Sequence, residues 1–270
     1  MSGNERKRVV DFHTHAFPEK VAARAIASLT GAYGVKPVAD PTVSGLTAFM
    51  DDAGVALSVV LPVATRADQV RSINDWAARA GTDRVVCFGA LHPELLDLAE
   101  EVERAIALGL RGIKLQPNFQ GFSPDDRRMW PAYQAAEGRL IIVFHSGQEI
   151  VPVEHVWAQP EAVARVSEAF PRLTIVVSHM GGYRMWGQVR EHLLGREVYF
   201  ETSYCPPQDL PDHAMLGMIR EHGVERVVFG SDFPWGHAGE DLRRLAGLGL
   251  REDELEAIWW QNACRLLGFP

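Results

Sequence analysis

The sequence predicts an α/β chain that folds as a single-domain (β/α)8 barrel, also called a TIM barrel. Eight short apolar segments alternate with segments of helical spacing over most of the 270 residues. The apolar segments are continuous, which is typical of parallel strands that are buried on both faces. No glycine-rich dinucleotide loop follows the first of them, so an open, doubly wound sheet is the less favoured alternative.

The predicted strands share runs of Val, Ile, Leu or Phe, and most end at a polar residue or before a proline. They cover residues 9–15, 56–61, 84–91, 111–116, 140–145, 173–179, 198–202 and 226–232. Nothing in the sequence marks a domain boundary, so we interpret residues 1–270 as one domain.

The predicted helices follow these strands, and Gly81 and Gly109 end two of them, as glycine commonly does. They cover residues 18–29, 44–53, 68–80, 94–108, 160–169, 186–194, 213–221, 240–245 and 253–267. A further helix is predicted to start at Ser123-Pro124-Asp125-Asp126, since serine caps helices and proline and acids suit the first turn.

Composition indicates a globular protein, with 47% hydrophobic and 23% charged residues. A net charge of −8 argues against nucleic acid or an anionic membrane as the main partner. The start, Met1 to Arg8, lacks the apolar core of a signal peptide, and no apolar run reaches the about 18 residues of a membrane span. Cys87, Cys205 and Cys264 are isolated, which favours reduced thiols and a cytoplasmic location.

Polar residues end several of the apolar strands, where the active site of such a barrel lies. His13 and His15 share one face of the first strand, and later strands end in His145, His179 and Asp232. Imidazoles and a carboxylate suit Zn²⁺, with Mn²⁺, Fe²⁺ or Co²⁺ as other ions. We predict a metal centre of His13, His15, His145 and Asp232. His179 is expected to act as general acid or base, and a ligand role is the competing interpretation.

Four motifs together resemble the amidohydrolase superfamily, in the branch that includes aminocarboxymuconate-semialdehyde decarboxylase. They are Asp11-Phe12-His13-Thr14-His15, Phe144-His145-Ser146-Gly147, Ser178-His179-Met180-Gly181-Gly182 and Phe229-Gly230-Ser231-Asp232-Phe233-Pro234-Trp235. The resemblance runs from residue 9 to the last helix and implies a distorted (β/α)8 barrel. It also implies one divalent metal on the four predicted ligands, with His179 catalytic.

Lys114, near the end of the fourth strand, allows three interpretations. In the first, it binds a substrate carboxylate or phosphate. In the second, it pairs with an acidic residue at the strand ends. In the third, it carries a carbamate between two metals, as in binuclear members of the superfamily. Its Ile-Lys-Leu-Gln-Pro context is similar to the mononuclear branch, so we expect one metal. The residues expected to contact the substrate are Lys114, Gln116, Phe119, Arg184 and Trp235.

Several of these residues have a structural alternative. The loop over 118–122 is either a lid or a packed loop, and Arg184 either clamps a carboxylate or forms a surface ion pair. Trp235 lines the pocket or packs in the core. Glu201, at the end of the seventh strand, is expected to support a metal-binding histidine.

The favoured function is metal-dependent hydrolysis of a small carboxylate-bearing ester, lactone or amide. A metal-activated water attacks the carbonyl carbon, while His179 and Asp232 move protons. The first alternative is non-oxidative decarboxylation of an unsaturated or aromatic acid by the same ligands. The second is a non-catalytic protein that binds ligands at a metal site. We expect a small-molecule substrate, and Trp259-Trp260 allows either packing or a homo-oligomer contact.

Overall fold

Nine short parallel strands form the barrel wall in the computed structural model, which describes residues 8–269 without the side chains of residues 32 and 33. The strands are β1 (Val10–Thr14), β2 (Leu57–Val60), β3 (Val85–Cys87), β4 (Gly89–Ala90), β5 (Gly112–Leu115), β6 (Ile141–Phe144), β7 (Thr174–Val177), β8 (Tyr199–Glu201) and β9 (Val227–Val228). One sheet has the order β1-β2-β3, and the other runs from β4 to β9 in sequence order.

Backbone hydrogen bonds outside the named strands join the ends of the two sheets. The N–H of Phe12 donates to Phe229 O at 2.8 Å, and that of Asp232 donates to His13 O at 2.8 Å. The segment after β9 therefore lies beside β1, and the chain belongs to the (β/α)8 barrel class that the sequence predicts.

The predicted single strand over 84–91 is wrong, because the structure divides it at Phe88. Its first half, β3, pairs with β2, whereas its second half, β4, pairs with β5. The Phe88 N–H still donates to Val60 O at 2.9 Å, so the chain changes partners at this residue. This division is one visible distortion of the barrel.

Twelve α-helices cover the outside of the strands or close their ends within residues 8–269. They are α1 (Glu19–Tyr33), α2 (Val43–Ala53), α3 (Val70–Ala80), α4 (Leu98–Ala107), α5 (Pro117–Gln120), α6 (Trp130–Ala136), α7 (Pro160–Ala169), α8 (Trp186–His192), α9 (Asp212–His222), α10 (Ala238–Gly247), α11 (Glu252–Glu256) and α12 (Asn262–Leu267). A π-helical segment, Ala257–Gln261, joins the last two helices. None of the described helices is long and apolar enough to cross a membrane.

The helix start predicted at Ser123 is also wrong. The Ser123 hydroxyl bonds the side chain of Asp125 instead of capping a turn. Asp126 provides the cap, because its carboxylate accepts the Arg128 N–H at 2.9 Å, and the helical turns begin after it. α5 lies where the sequence predicts only a loop.

The barrel interior holds one apolar cluster, distinct from the larger layer between strands and helices. Its fully or nearly buried members from the strands and their ends are Val10, Phe12, Val59, Leu61, Phe88, Ile141, Val143, Val176 and Val228. Phe12 and Phe88 pack edge to face with ring centroids 5.9 Å apart. Residues of α12 contact this cluster, so the interior is an apolar core below the polar strand ends.

A shift in register between β1 and β2 lets neighbouring residues of β1 serve both regions. The shift falls between Asp11 and Thr14. Regular alternation would place Phe12 and His13 on opposite faces. Instead, Phe12 packs on Phe88 in the core, and the His13 ring lies 5.3 Å from that of His179 at the strand ends.

Replacing Phe88 by alanine should lower the free energy of unfolding by about 3–5 kcal/mol, because the change leaves a cavity in the barrel core. Leu96 is fully exposed, and its replacement by alanine is the control that removes apolar atoms without a cavity. Urea unfolding of both variants measures the difference. Equal stability of the two variants would contradict the assignment of Phe88 to the core.

Candidate metal centre

Three electron-pair donors converge where β1 and the segment after β9 lie side by side. His13 Nε2 is 3.1 Å from His15 Nε2, and Asp232 Oδ1 is 3.5 Å from His13 Nε2 and 3.2 Å from His15 Nε2. His13 is buried, and His15 and Asp232 are partly exposed. These residues form the most compact part of the predicted ligand set.

In both histidines the outer ring nitrogen, which is Nδ1 and points away from the three donors, faces a hydrogen-bond acceptor. His13 Nδ1 lies 2.9 Å from Glu201 Oε1, and His15 Nδ1 lies 2.8 Å from Leu61 O. A carbonyl or carboxylate oxygen only accepts, so each Nδ1 carries a hydrogen, and in the neutral form of the ring Nε2 then presents a lone pair. Burial lowers the pKa of His13 to about 3, which keeps that ring neutral.

The chemistry of this donor set fits a divalent cation. Two imidazole lone pairs and a carboxylate oxygen at these separations repel one another unless a positive charge lies between them. Histidines that bind metals usually donate their other ring nitrogen to a carboxylate or carbonyl, as His13 and His15 do. The three donors at the strand ends therefore form a candidate metal site.

His145 and His179 extend the same pattern to the ends of β6 and β7. His145 Nδ1 lies 3.1 Å from His179 Nε2. The outer nitrogens face acceptors: His145 Nε2 is 3.1 Å from Glu149 Oε1, and His179 Nδ1 is 3.1 Å from Ser203 O. Burial lowers the pKa of His179. The structure thus groups His13, His15 and Asp232 tightly, and it places the fourth predicted ligand, His145, next to His179.

Glu201 connects the metal donors to the β7 end. Its Oε1 accepts from His13 Nδ1, from the His179 N–H at 2.7 Å and from Ser203 Oγ at 2.9 Å. Burial alone would raise the pKa of Glu201, but His13 and the accepted hydrogen bonds lower it far below its usual range. The hydrogen bond that Glu201 is expected to accept from a histidine of the predicted ligand set is present, and the metal-binding role of that histidine stays a prediction.

Gly230 makes room for that carboxylate. A Cβ atom on Gly230 would lie 2.3 Å from Glu201 Oε2 and 2.9 Å from His13 Cβ. The glycine in Phe229-Gly230-Ser231-Asp232 is therefore required by the close approach of these side chains.

The two residues that are predicted to move protons have backbone conformations with positive φ. His179 has φ of 60° and Asp232 has φ of 64°, in the left-handed region that non-glycine residues seldom adopt. Such residues cost about 1–3 kcal/mol each and persist where neighbouring contacts hold them. For Asp232 one such contact is the hydrogen bond that its N–H donates to His13 O at 2.8 Å.

A cavity of about 770 Å³ opens above the donors. Four of the five residues expected to contact the substrate line it: Lys114, Gln116, Phe119 and Trp235. Arg184 lies outside the wall, where its Nη2 pairs with Asp209 Oδ2 at 3.0 Å and its guanidinium lies 4.8 Å from the centre of the Tyr183 ring. The structure therefore gives Arg184 the ion pair that was its alternative.

Lys114 is a buried cation in the cavity floor. Its Nζ donates to Ser178 Oγ at 3.1 Å, and it forms no ion pair with another described residue. Burial lowers its pKa to about 8, against the opposing charges of Glu201, Asp232 and Glu149. An ammonium has three N–H groups, so within the described part of the chain this one keeps donors for an anion in the cavity.

Sequence reasoning missed Glu149, which supports His145. Asn118 of α5 holds this carboxylate, since its Nδ2 donates to Glu149 Oε1 at 2.8 Å and its Oδ1 accepts from the Trp157 N–H at 2.8 Å. Gln120 Nε2 in turn donates to Ala64 O at 2.8 Å. The loop over 118–122 is therefore packed. Glu149 lies in an irregular loop, where its spacing from His145 carries no recognisable signal.

The barrel and the candidate metal site at its strand ends define an α/β-barrel enzyme. The model of the amidohydrolase family matches residues 10–269. The chain therefore belongs to the amidohydrolase family, which confirms the resemblance of its motifs. No curated protein matches the chain significantly.

Solved structures with the same fold span nearly the whole chain. A 5-carboxyvanillate decarboxylase from Sphingomonas paucimobilis is 18% identical, with a TM-score of 0.73 over 98% of this chain and 100% of that one. The enzyme of the same name from Novosphingobium aromaticivorans, in complex with manganese and 4-hydroxy-3-methoxy-5-nitrobenzoic acid, is 18% identical, with a TM-score of 0.74 over 99% and 98%. A 2,6-dihydroxybenzoate decarboxylase bound to 2,6-dihydroxybenzoate is 18% identical, with a TM-score of 0.71 over 97% and 100%.

Replacing Glu201 by glutamine should weaken Mn²⁺ or Zn²⁺ binding by about tenfold to a hundredfold, because the amide holds the His13 ring less firmly. Equilibrium dialysis with metal analysis measures the change. Glu101→Gln is the matched control, since Glu101 is a buried carboxylate of α4 that binds Asn74 and Arg104. Wild-type affinity in Glu201→Gln would show that this carboxylate does not support the centre.

Proposed function

We propose that this chain catalyses the metal-dependent, non-oxidative decarboxylation of an aromatic or unsaturated acid. The observation that carries the proposal is the buried Lys114 ammonium, which has no ion-pair partner among the residues that the structure describes, in the same cavity as the compact group of candidate metal donors. Aromatic walls, among them Phe119 and Trp235, complete the cavity. Such a site offers positive charge to a carboxylate and an apolar surface to the ring that carries it.

The comparisons support this choice over the hydrolysis that the sequence favours. The similar structures described above carry the names of decarboxylases of hydroxylated aromatic acids. Hydrolysis has support only from the name of the family. It stays the second candidate, because the same donors can serve both reactions.

His13, His15 and Asp232, with His145 as the further predicted ligand, are the residues that would hold the metal. Zn²⁺ is the ion that the sequence favours, and Mn²⁺ is the ion in one similar structure. When bound, a divalent cation supplies a fixed positive charge for the oxygen atoms of the substrate.

The reaction breaks the bond between the carboxylate carbon and the carbon that bears it. The electron pair stays on that second carbon, CO₂ leaves, and one proton is taken up at the same carbon. Lys114 orients the acid through its ammonium group. We assign the movement of the proton to Asp232 and His179, which both line the cavity. Its source is solvent or an acidic hydroxyl of the substrate.

The metal-loaded chain should release CO₂ from acids in a panel of hydroxybenzoates and unsaturated dicarboxylates. The panel is assayed beside esters, lactones and amides of similar size, with CO₂ and hydrolysis products measured separately. His179→Asn should abolish turnover and keep the metal bound. Hydrolysis without CO₂ would favour the second candidate, and bound metal without any turnover would favour the non-catalytic binding protein.

Lys114→Met should raise KM for the acid about tenfold to a hundredfold near neutral pH, because a charge-assisted hydrogen bond is lost. In the wild type, kcat/KM should fall as pH rises through about 8, since the Lys114 ammonium then loses its proton. In Lys114→Arg this alkaline limb should disappear, because the guanidinium stays charged. An unchanged limb in that variant would exclude Lys114 as its source.

A further inference from the structure

The cavity extends well beyond the metal centre, into a region between α1 and α3. Its wall includes the candidate metal donors and Lys114, and it also includes side chains of these two helices. We call the region between the helices the helical vault, and its apolar wall residues are Val21, Ala25, Leu29, Ile73 and Trp76.

The spacing of these residues shows that each helix turns one face to the vault. Positions 21, 25 and 29 of α1 are four residues apart, and positions 73 and 76 of α3 are three apart, which places each set on one side of its helix. The side chains are only partly buried. Ile73 and Trp76 also pack against the hydrophobic core. The parts of both helix faces that remain exposed line the cavity, where a ligand would bury them further.

The polar residues at the edge of the vault on the α3 side satisfy one another. Gln69 Oε1 accepts from the N–H groups of Thr65 and Arg66 at 2.9 and 3.1 Å, and Ser72 Oγ donates to Gln69 O at 2.9 Å. Arg24 and Ser28 of α1 are exposed residues of the cavity wall. The vault therefore offers an apolar surface with polar groups at its border.

The whole cavity, at about 770 Å³, is in the upper part of the range of about 300–1,000 Å³ that holds drug-sized ligands. A single-ring acid at Lys114 and the metal donors would leave the vault unfilled. We propose that the substrate is an acid with a second apolar body, a further ring or an alkyl chain, which lies between Ala25 and Ile73. This inference rests on the proposed decarboxylation for the reaction, but not for the binding.

The experiment compares a hydroxybenzoate with the same acid extended by a phenyl group on the side away from the carboxylate. Binding of both acids to the metal-loaded chain is measured by calorimetry, and CO₂ release is measured in parallel. In the wild type, the two-ring acid should bind at least about tenfold more tightly, because it buries an additional ring. The ratio of the two affinities is the readout.

Ala25→Trp should reduce this ratio at least about tenfold, since the indole fills the vault. Ala27→Trp is the matched control on the same helix, because Ala27 is exposed and does not line the cavity. It should leave the ratio unchanged. If Ala25→Trp fails to fold, Ala25→Leu should give a smaller reduction in the same direction.

The outcomes separate this inference from the proposed function. Tighter binding of the two-ring acid, lost in Ala25→Trp, supports the vault even if neither acid releases CO₂, in which case only the proposed function fails. Equal affinity of the wild type for the two acids, absence of binding for both, or equal ratios in the two tryptophan variants would overturn the inference.

Discussion

The hydrogen bond between His13 and Glu201 is the interaction on which the rest of the site depends. It fixes the tautomer of a buried ring and turns the Nε2 lone pair toward His15 and Asp232. The same carboxylate accepts the N–H of His179, so one buried charge connects the metal donors to the candidate proton carrier. Only a glycine fits at position 230, because a Cβ atom there would collide with this carboxylate.

Different parts of the barrel serve stability and chemistry: the apolar interior stabilises the fold, and the strand ends carry the polar side chains. The interior cluster around Phe12 and Phe88 is apolar, whereas the strand ends above it carry histidines and acids. Buried polar groups are costly unless they are paired, and here each outer nitrogen of His13, His15 and His179 has an acceptor. Because the Nδ1 atoms of these rings are satisfied, their Nε2 atoms remain available to a ligand. A pocket that combines these donors with the Lys114 cation is suited to an anionic substrate.

Much of this arrangement could be predicted from the sequence, because it follows from strand periodicity and barrel geometry. The pairing of His13 with His15 and the approach of Asp232 need only the rule that parallel strand ends meet at one rim. The break at Phe88 could not be predicted, since it depends on which neighbour each half of an apolar run pairs with. The role of Glu149 could not be predicted, because residues of an irregular loop follow no repeating sequence pattern. Arg184 forms an ion pair with Asp209, which is distant in sequence and comes near only in the folded chain.

We infer that His13 Nε2, His15 Nε2 and Asp232 Oδ1 bind one divalent cation. Anomalous diffraction from crystals of the Mn²⁺-loaded or Zn²⁺-loaded chain tests it most directly. We expect one anomalous peak per chain, about 2.0–2.3 Å from these three ligand atoms, with His145 as the further ligand. A peak elsewhere, or two peaks bridged by a modified Lys114, would contradict it.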